Sequence, residues 1–189
     1  MAAPDEKQLL VLLKQDERSA IKAVFEKYHA TLCYTAYRLL GDKDLAKDVV
    51  QDVFIKFWNS RASINITTSL AGYLKRSVIN AAINQLEKDQ RLAKVSIDKL
   101  SNHPEGTSAD RDHRLLEITS ALEKAIAELP VRTRTIFILI RKEEMSYKEV
   151  SETLNISSKA VEKEMMKALR LLREMLREFL AIAIVLSGL

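Results

Sequence analysis

The chain has very few of the residues that make turns and cross-links. Its 189 residues include 4 glycines, 3 prolines and one cysteine, Cys33. A single cysteine allows no internal disulfide and leaves a thiolate zinc site short of ligands, so a reducing compartment is compatible with the sequence. So few glycines and prolines leave little turn chemistry for a many-stranded sandwich or barrel. We therefore expect an all-α fold.

Motifs of catalysis and cofactor binding are also missing. The glycines stand alone, so there is no glycine-rich phosphate loop. His29, His103 and His113 are far apart and form no pair with metal-ligand spacing on one helical face. Asp48 and Asp52 lie one helical turn apart, but no third ligand joins them, so an exposed acidic face is the preferred interpretation. The sequence disfavours an enzyme and indicates no cofactor and no metal.

Long apolar runs are scarce. No window reaches the roughly 18 apolar residues that a membrane span needs, and the first residues lack the basic-then-apolar order of a leader. We expect no membrane insertion and a cytoplasmic location. The apolar run 179–189 is short for an anchor. It fits either a helix end that covers the domain's own core or an apolar surface for a partner.

The chain does contain ample apolar material and an uneven distribution of charge. Hydrophobic residues make up 47% of it and charged residues 30%, which suits a packed core. The formal net charge is +4; residues 1–58 are balanced, whereas residues 59–94 carry six basic and two acidic side chains. A local basic excess suits a polyanion-binding surface, although lysines on a helix are more often a solvated face. Nucleic-acid binding is one hypothesis.

Apolar residues recur at helical spacing in two groups, with no internal repeat. The predicted helices cover 7–40 with a break near 16–19, 42–59 and about 69–90 in the first group, and 113–128, 131–142, 147–154 and 158–180 in the second. Between the groups the periodicity fails and polar residues cluster in SNHPEGTSAD, which predicts a flexible linker over 95–112. The prediction is two helical domains, 1–94 and 113–189.

The second domain carries a helix-turn-helix pattern. Ser146 and Glu149 have the Ser-x-x-Glu form of a capping box, which predicts a helix start. After Leu154 a turn at 155–157 leads into the next helix, and two helices joined by so short a turn are typical of a DNA-binding helix-turn-helix.

Two separated pieces of the chain resemble one family, in the right order. The first piece is FEKYHATLCYTAYRLLGDKDLAKDVVQDVFIKFW with SLAGYLKRSVINAAINQLEKDQR, and it resembles sigma domain two of the extracytoplasmic-function sigma factors, group 4 of the sigma-70 family. The second is LPVRTRTIFILIRKEEMSYKEVSETLNISSKAVEKEMMKALRLLREML, which resembles their sigma domain four. The resemblance covers most of the chain. It implies a subunit that binds core RNA polymerase, recognises two promoter elements and directs transcription initiation.

The resemblance also implies a polymerase-binding face. In such proteins the helix after Gly41 docks on the clamp helices of the β′ subunit, and the matching positions are Asp48, Gln51, Asp52 and Phe54. The three polar residues stand at i, i+3 and i+4, so they form one stripe, and its acidic side chains suit a basic partner. The alternative is a solvated face with Phe54 in the core.

A minus-ten site is implied on the next helix. Asn80 matches the position at the rim of the pocket where this family captures a flipped-out base, and an amide offers that base both a donor and an acceptor. Two departures weaken the match, since Tyr73 stands where many members have Trp and the loop 60–68 has no aromatic residue. The residues implied to hold phosphates are Arg61, Lys75, Arg76, Lys88 and Arg91.

A minus-thirty-five site is implied on the second helix of the helix-turn-helix. That recognition helix begins at Ser157 or Ser158 and would enter the major groove. Glu162 and Glu164 interrupt its basic surface, so at least one of them should point away or make a specific contact. In the same domain, part of the apolar surface of residues 136–140 is implied to meet the polymerase β flap. The expected DNA-facing residues are Ser158, Lys159, Lys163, Met166, Lys167 and Arg170.

The resemblance also implies an anti-sigma factor as a partner. Two other interpretations remain at this point. The first is a stand-alone helix-turn-helix regulator that acts on duplex DNA without polymerase. The second is a helical protein-interaction module with no role on DNA.

Overall fold

The computed structural model of the chain describes residues 6–15, 18–64, 66, 69–93 and 110–177. All regular structure in these residues is α-helical, which confirms the predicted fold class. The helices are α1 (Glu6–Lys14), α2 (Arg18–Leu40), α3 (Lys43–Ser60), α4 (Leu70–Ala93), α5 (Asp110–Glu128), α6 (Val131–Arg141), α7 (Tyr147–Leu154) and α8 (Ser158–Met175). The chain divides into two compact units, Met1–Asp89 and Gln90–Leu189.

Local signals set the boundary between α2 and α3. Gly41 has φ +78°, a conformation that glycine adopts without strain, and its N–H donates to the carbonyl of Tyr37 over 2.8 Å. The carboxylate of Asp42 then accepts from the N–H groups of Asp44 and Leu45 at 2.8 and 2.9 Å. These bonds satisfy two of the orphan donors at the start of α3.

The core of the first unit lies where α2, α3 and α4 meet. Val24, Val50, Leu70, Leu74 and Val78 are all completely buried there. Burial of side chains of this size contributes about 1.5–3 kcal/mol each, so the three helices are held together mainly by apolar contact.

The apolar spacing of α3 predicts a buried side of Leu45, Val49, Val50, Val53, Phe57 and Trp58, and the observed buried side is turned slightly from it. Leu45 and Trp58 are half-buried rather than core residues, whereas Ala46 and Phe54 lie in the core. The buried stripe therefore contains both Val53 and Phe54, one turn before Phe57. Because α3 is covered on more than one side, its apolar stripe is wider than its spacing alone suggests.

Glu6 ties three helices of the first unit together. Its carboxylate accepts from the hydroxyl of Tyr28 on α2 at 2.6 Å and from the N–H of Leu70, the first residue of α4, at 3.3 Å. Burial of the ring and this hydrogen bond both raise the pKa of Tyr28 above its usual value. A carboxylate also interacts favourably with a helix N-terminus, so Glu6 holds the start of α4 in place.

We expect Glu6→Ala to lower the free energy of unfolding by about 1.5–3 kcal/mol, the usual contribution of hydrogen bonds to a charged group. Because the pKa of Tyr28 is raised in the folded state, this contribution is complete below the unfolded tyrosine pKa of about 10 and is lost as the pH rises above it. Urea unfolding at pH 7 and at pH 11 measures both effects. A wild-type midpoint for the variant at pH 7 would contradict the assignment.

The first helix of the second unit begins three residues earlier than the sequence predicted. α5 starts at Asp110, so the last three residues of the predicted linker 95–112 are helical. The rest of the predicted flexible linker, 95–109, lies outside the described residues, as does the predicted end of the last helix beyond residue 177 and the apolar run 179–189.

Local signals set the helix boundaries of the second unit. α6 begins directly after Pro130, and Ser146 and Glu149 form the full capping box at the start of α7. α7 ends at Asn155 in the left-handed conformation, with φ 51°. Ser157 then caps α8 by accepting from the N–H of Ala160 at 3.2 Å. The residues completely buried among these helices include Ile136, Leu139, Val150 and Val161.

Candidate functional site

The polar stripe of α3 lies on the surface of the first unit. Asp48, Gln51 and Asp52 are all exposed, and Ile55, one turn further, is 50% exposed. Phe54 does not join them: it is 5% exposed and its ring lies 5.0 Å from the ring of Phe25. Phe54 therefore packs in the core beneath the polar stripe, and its ring is not available to a partner on the surface.

The neighbouring charges leave the stripe acidic. Lys47 lies 2.9 Å from Asp44 in an exposed ion pair, and its hydrogen bond and charge lower the pKa of that carboxyl. In the described part of the chain neither Asp48 nor Asp52 forms an ion pair. Two carboxylates thus face solvent within one helical turn, which suits a basic partner surface.

A cleft of about 260 Å³ lies between α3 and α4. Asn80 is exposed and lines it. The rings of Phe57 and Tyr73 lie 5.9 Å apart and form its aromatic wall. The residues that line the cleft are Val53, Lys56, Phe57, Ser60, Tyr73, Ser77, Asn80, Ala81 and Asn84.

The basic residues expected to hold phosphates are not on one face. The guanidinium of Arg61 lies 4.0 Å above the ring of Trp58 and donates to the Trp58 carbonyl at 2.8 Å, so it is fixed beside the end of α3. Arg76 and Lys88 are exposed on α4, whereas Lys75 is half-buried and is turned about 140° around the helix from Asn80. The side chain of Arg91 lies outside the described residues.

The expected DNA-facing residues of α8 share one exposed side of that helix. Lys159, Lys163, Lys167 and Arg170 are exposed, and Met166 is 67% exposed. The opposite side consists of Val161, Met165, Ala168 and Leu172, which are buried. Because the buried side holds α8 on α6 and α7, the basic side is presented to solvent along three turns of helix.

The two glutamates in the first half of α8, Glu162 and Glu164, differ in their surroundings. The carboxylate of Glu164 accepts from the hydroxyl of Thr133 on α6 at 2.7 Å and lies 3.7 Å from Arg132. It therefore points away from the basic side, as expected for one of the two. Glu162 is exposed. At the start of α8 the hydroxyl of Ser158 donates to that of Ser151 on α7 at 3.3 Å, which links the two helices.

The sequence analysis named Tyr73 and Asn80 but not the other polar residues of the cleft, which are Lys56, Ser60, Ser77 and Asn84. Tyr73, Ser77, Asn80 and Asn84 stand at i, i+4, i+7 and i+11 of α4, so helical spacing from Asn80 would have indicated Asn84. Lys56 belongs to α3, and nothing in the sequence indicates that this part of α3 faces that side of α4.

Comparison with known families gives two matches, in the order of the two units. A model described as sigma-70 region 2 matches residues 24–92, and one described as sigma-70, region 4 matches residues 119–172. The ECF RNA polymerase sigma factor SigW of Bacillus subtilis is 24% identical over 181 residues, which cover 91% of this chain and 97% of SigW. The chain belongs to the sigma-70 family, within its extracytoplasmic-function group.

Other relatives of this sigma factor support the same family assignment. The ECF RNA polymerase sigma factor SigL of Mycobacterium tuberculosis is 26% identical over 171 residues, covering 86% of this chain and 92% of SigL. Among solved structures, the sigma factor RpoE in complex with the anti-sigma factor NepR, from Bartonella quintana, matches with a TM-score of 0.59 and 22% identity, covering 82% of this chain and 96% of that one. CnrH in complex with the cytosolic domain of CnrY matches with a TM-score of 0.60 and 20% identity, covering 92% and 97%. These structures share the fold.

The match to region 2 decides between the interpretations left open by the sequence. A stand-alone helix-turn-helix regulator would account for residues 119–172 and leave residues 24–92 without a role. In the described residues no three His, Cys, Asp or Glu side chains lie close enough together to hold a metal ion. The described helices also include none with the length and apolar character to cross a membrane.

Proposed function

We propose that this sigma factor binds core RNA polymerase through the α3 stripe of Asp48, Gln51 and Asp52, which would meet the clamp helices of the β′ subunit. Residues 1–94 would act as sigma domain two, residues 95–112 as the linker and residues 113–189 as sigma domain four. The observation that carries the proposal is the ordered match of two sigma-70 regions, one on each compact unit.

The cleft between α3 and α4 is proposed to receive a base of the opened minus-ten element, with Asn80 at its rim. An amide can donate and accept at once, so it can discriminate between base edges. The basic side of α8 is proposed to enter the major groove of the minus-thirty-five element, with part of α6 facing the β flap. In this role the protein works in the cytoplasm and performs no covalent chemistry of its own.

An anti-sigma factor is the third proposed partner. RpoE and CnrH, whose folds this chain shares, were each solved with such a regulator or with its cytosolic domain. A protein of that kind would compete for the surfaces that face polymerase or DNA.

Size-exclusion chromatography with bacterial core RNA polymerase tests the proposal. We expect the full chain to co-elute with core enzyme and to direct run-off transcription from a subset of a library of randomised promoters. Core enzyme alone, and core enzyme with heat-denatured chain, are the controls. Failure to co-elute at equimolar micromolar concentrations would refute the proposal.

We expect Lys163→Ala and Lys167→Ala each to weaken promoter binding by the complex with polymerase, by about 1–3 kcal/mol if the lysine contacts a base. If the lysine instead contacts a phosphate, its substitution should weaken binding to all promoters uniformly. It should also reduce by about one the slope of log affinity against log salt concentration. Filter binding at several salt concentrations separates the two modes. Lys124→Ala on α5, which removes the same charge from an exposed position, is the matched control, and equal losses in control and variants would contradict the assignment.

A further inference from the structure

Helix α8 has polar contacts to both α6 and α7 in addition to its apolar packing. The hydroxyl of Thr133 on α6 donates to the carboxylate of Glu164 at 2.7 Å, which we call the α6 bond. The hydroxyl of Ser158 donates to that of Ser151 on α7 at 3.3 Å, which we call the α7 bond. Thr133 and Ser151 are both buried, so each bond joins α8 to a group fixed inside the unit.

The two bonds lie on opposite sides of the apolar face of α8. Ser158 and Glu164 are six residues apart, which at about 100° per residue places them about 120° apart around the helix axis. The buried side chains of Val161 and Met165 lie between them. Apolar contact has no preferred direction, whereas a hydrogen bond requires its two atoms at a defined distance and angle. The two bonds therefore fix the rotation of α8 about its own axis.

The rotation of α8 decides where its exposed side chains point. The surface of a helix lies about 5 Å from its axis, so a rotation of 20° moves a surface atom by about 1.7 Å. Hydrogen-bond lengths vary by only about 0.5 Å, so a displacement of that size separates a donor from its acceptor. Lys163 is the direct neighbour of Glu164, and Lys167 follows one turn later. Their direction thus depends on the α6 bond.

The carboxylate of Glu164 is directed at α6 by a second group. Its other oxygen lies 3.7 Å from Nε of Arg132, and its side chain is only 20% exposed. The guanidinium compensates the negative charge, and the hydroxyl of Thr133 occupies the oxygen that accepts most strongly. Any effect of Glu164 on DNA recognition is therefore exerted through the position of α8.

We propose that Glu164 is a positioning residue that sets the base specificity of α8 without contacting DNA. Through the α6 bond, and together with the α7 bond, it holds the rotation at which the exposed lysines meet the base edges. This inference rests on the proposed function, because it concerns the helix proposed to enter the major groove of the minus-thirty-five element.

The test substitutes the partners of α8 and leaves every side chain of α8 in place. Thr133→Val removes the donor of the α6 bond, and Ser151→Ala removes the acceptor of the α7 bond. A promoter selected by the full chain with core RNA polymerase is randomised over its minus-thirty-five element. The DNA that each complex retains on a filter is then sequenced. We expect Thr133→Val to reduce the base preference by about 5- to 150-fold at one position or more, and Ser151→Ala to reduce it less.

Substitutions of Glu164 separate its hydrogen bond from its charge. Glu164→Gln keeps an oxygen that accepts from the hydroxyl of Thr133, so it should keep the base preference of the parent chain. Glu164→Ala removes the α6 bond from the other side and should reproduce the effect of Thr133→Val.

Thr135→Val is the matched control. Thr135 is buried on the same helix as Thr133, and in the described part of the chain its hydroxyl has no hydrogen-bond partner. This variant should keep the base preference of the parent. DNA on the filter reports only folded molecules, so a loss of stability alone lowers the amount of DNA retained and leaves the base preference unchanged.

Each outcome decides for or against the inference. If Thr133→Val and Glu164→Ala both keep the parent's base preference, the α6 bond contributes only to stability and the inference is wrong. An equal change in Glu164→Gln and Glu164→Ala would assign the effect to charge and would also overturn it. A parent complex that shows no base preference over the randomised element would overturn the proposed role of α8 and, with it, this inference.

Discussion

Replacing Asp48 and Asp52 with lysine in one chain is expected to abolish co-elution with core RNA polymerase. Both side chains are exposed on α3, so their replacement leaves the core of the first unit intact. Two carboxylates become two ammonium groups on a face proposed to meet a basic surface, and like-charge contacts across an interface cost several kcal/mol. Since 1.4 kcal/mol corresponds to a factor of ten, the loss of affinity should exceed about 100-fold.

The control for this variant reverses two acidic side chains elsewhere in the same unit. Glu26 on α2 and Asp89 on α4 are exposed, and their joint replacement with lysine makes the same change in net charge. We expect this control to co-elute with core enzyme. If the Asp48 and Asp52 variant also co-elutes, the stripe is not the polymerase-binding face.

Leu139→Ala is expected to destabilise the second unit by about 2–5 kcal/mol, the usual cost of truncating a buried leucine. Leu139 lies in α6 and is completely buried in this unit. Hydrogen exchange followed by mass spectrometry should show faster exchange across residues 131–175. Because the two units have separate compact cores, exchange in residues 20–89 should match that of the parent.

A partly exposed neighbour provides the comparison. Ile140 is half-buried on the same helix, so Ile140→Ala removes a side chain of the same size from a less enclosed place and should cost less. Polymerase co-elution of the Leu139→Ala variant should persist, since the α3 stripe belongs to the other unit. Faster exchange in both units alike would show that they unfold together, against the domain division proposed above.

The amphipathic pattern of α8 shows how much of the candidate site can be predicted from the sequence alone. Its exposed lysines and its buried Val161 and Met165 follow helical spacing, and its start follows from Ser157. The same reasoning placed Asp48 and Asp52 on one exposed stripe. It misplaced Phe54, because the side of α3 that becomes buried depends on where Phe25 and His29 of α2 lie.

Sequence by itself determined where helices begin and end, and which sides of them are polar. The reason is that caps, glycine turns and apolar periods act within a few residues, as at Asp42, Gly41 and Ser146.

Only the tertiary structure decided the contacts between residues distant along the chain. Glu6 meets the start of α4 across 64 positions, Glu164 turns to Thr133 across 31, and Lys56 faces the amides of α4. Such contacts depend on how the helices pack. Helical spacing shows which side of a helix is apolar, but it does not show which residues of another helix that side contacts.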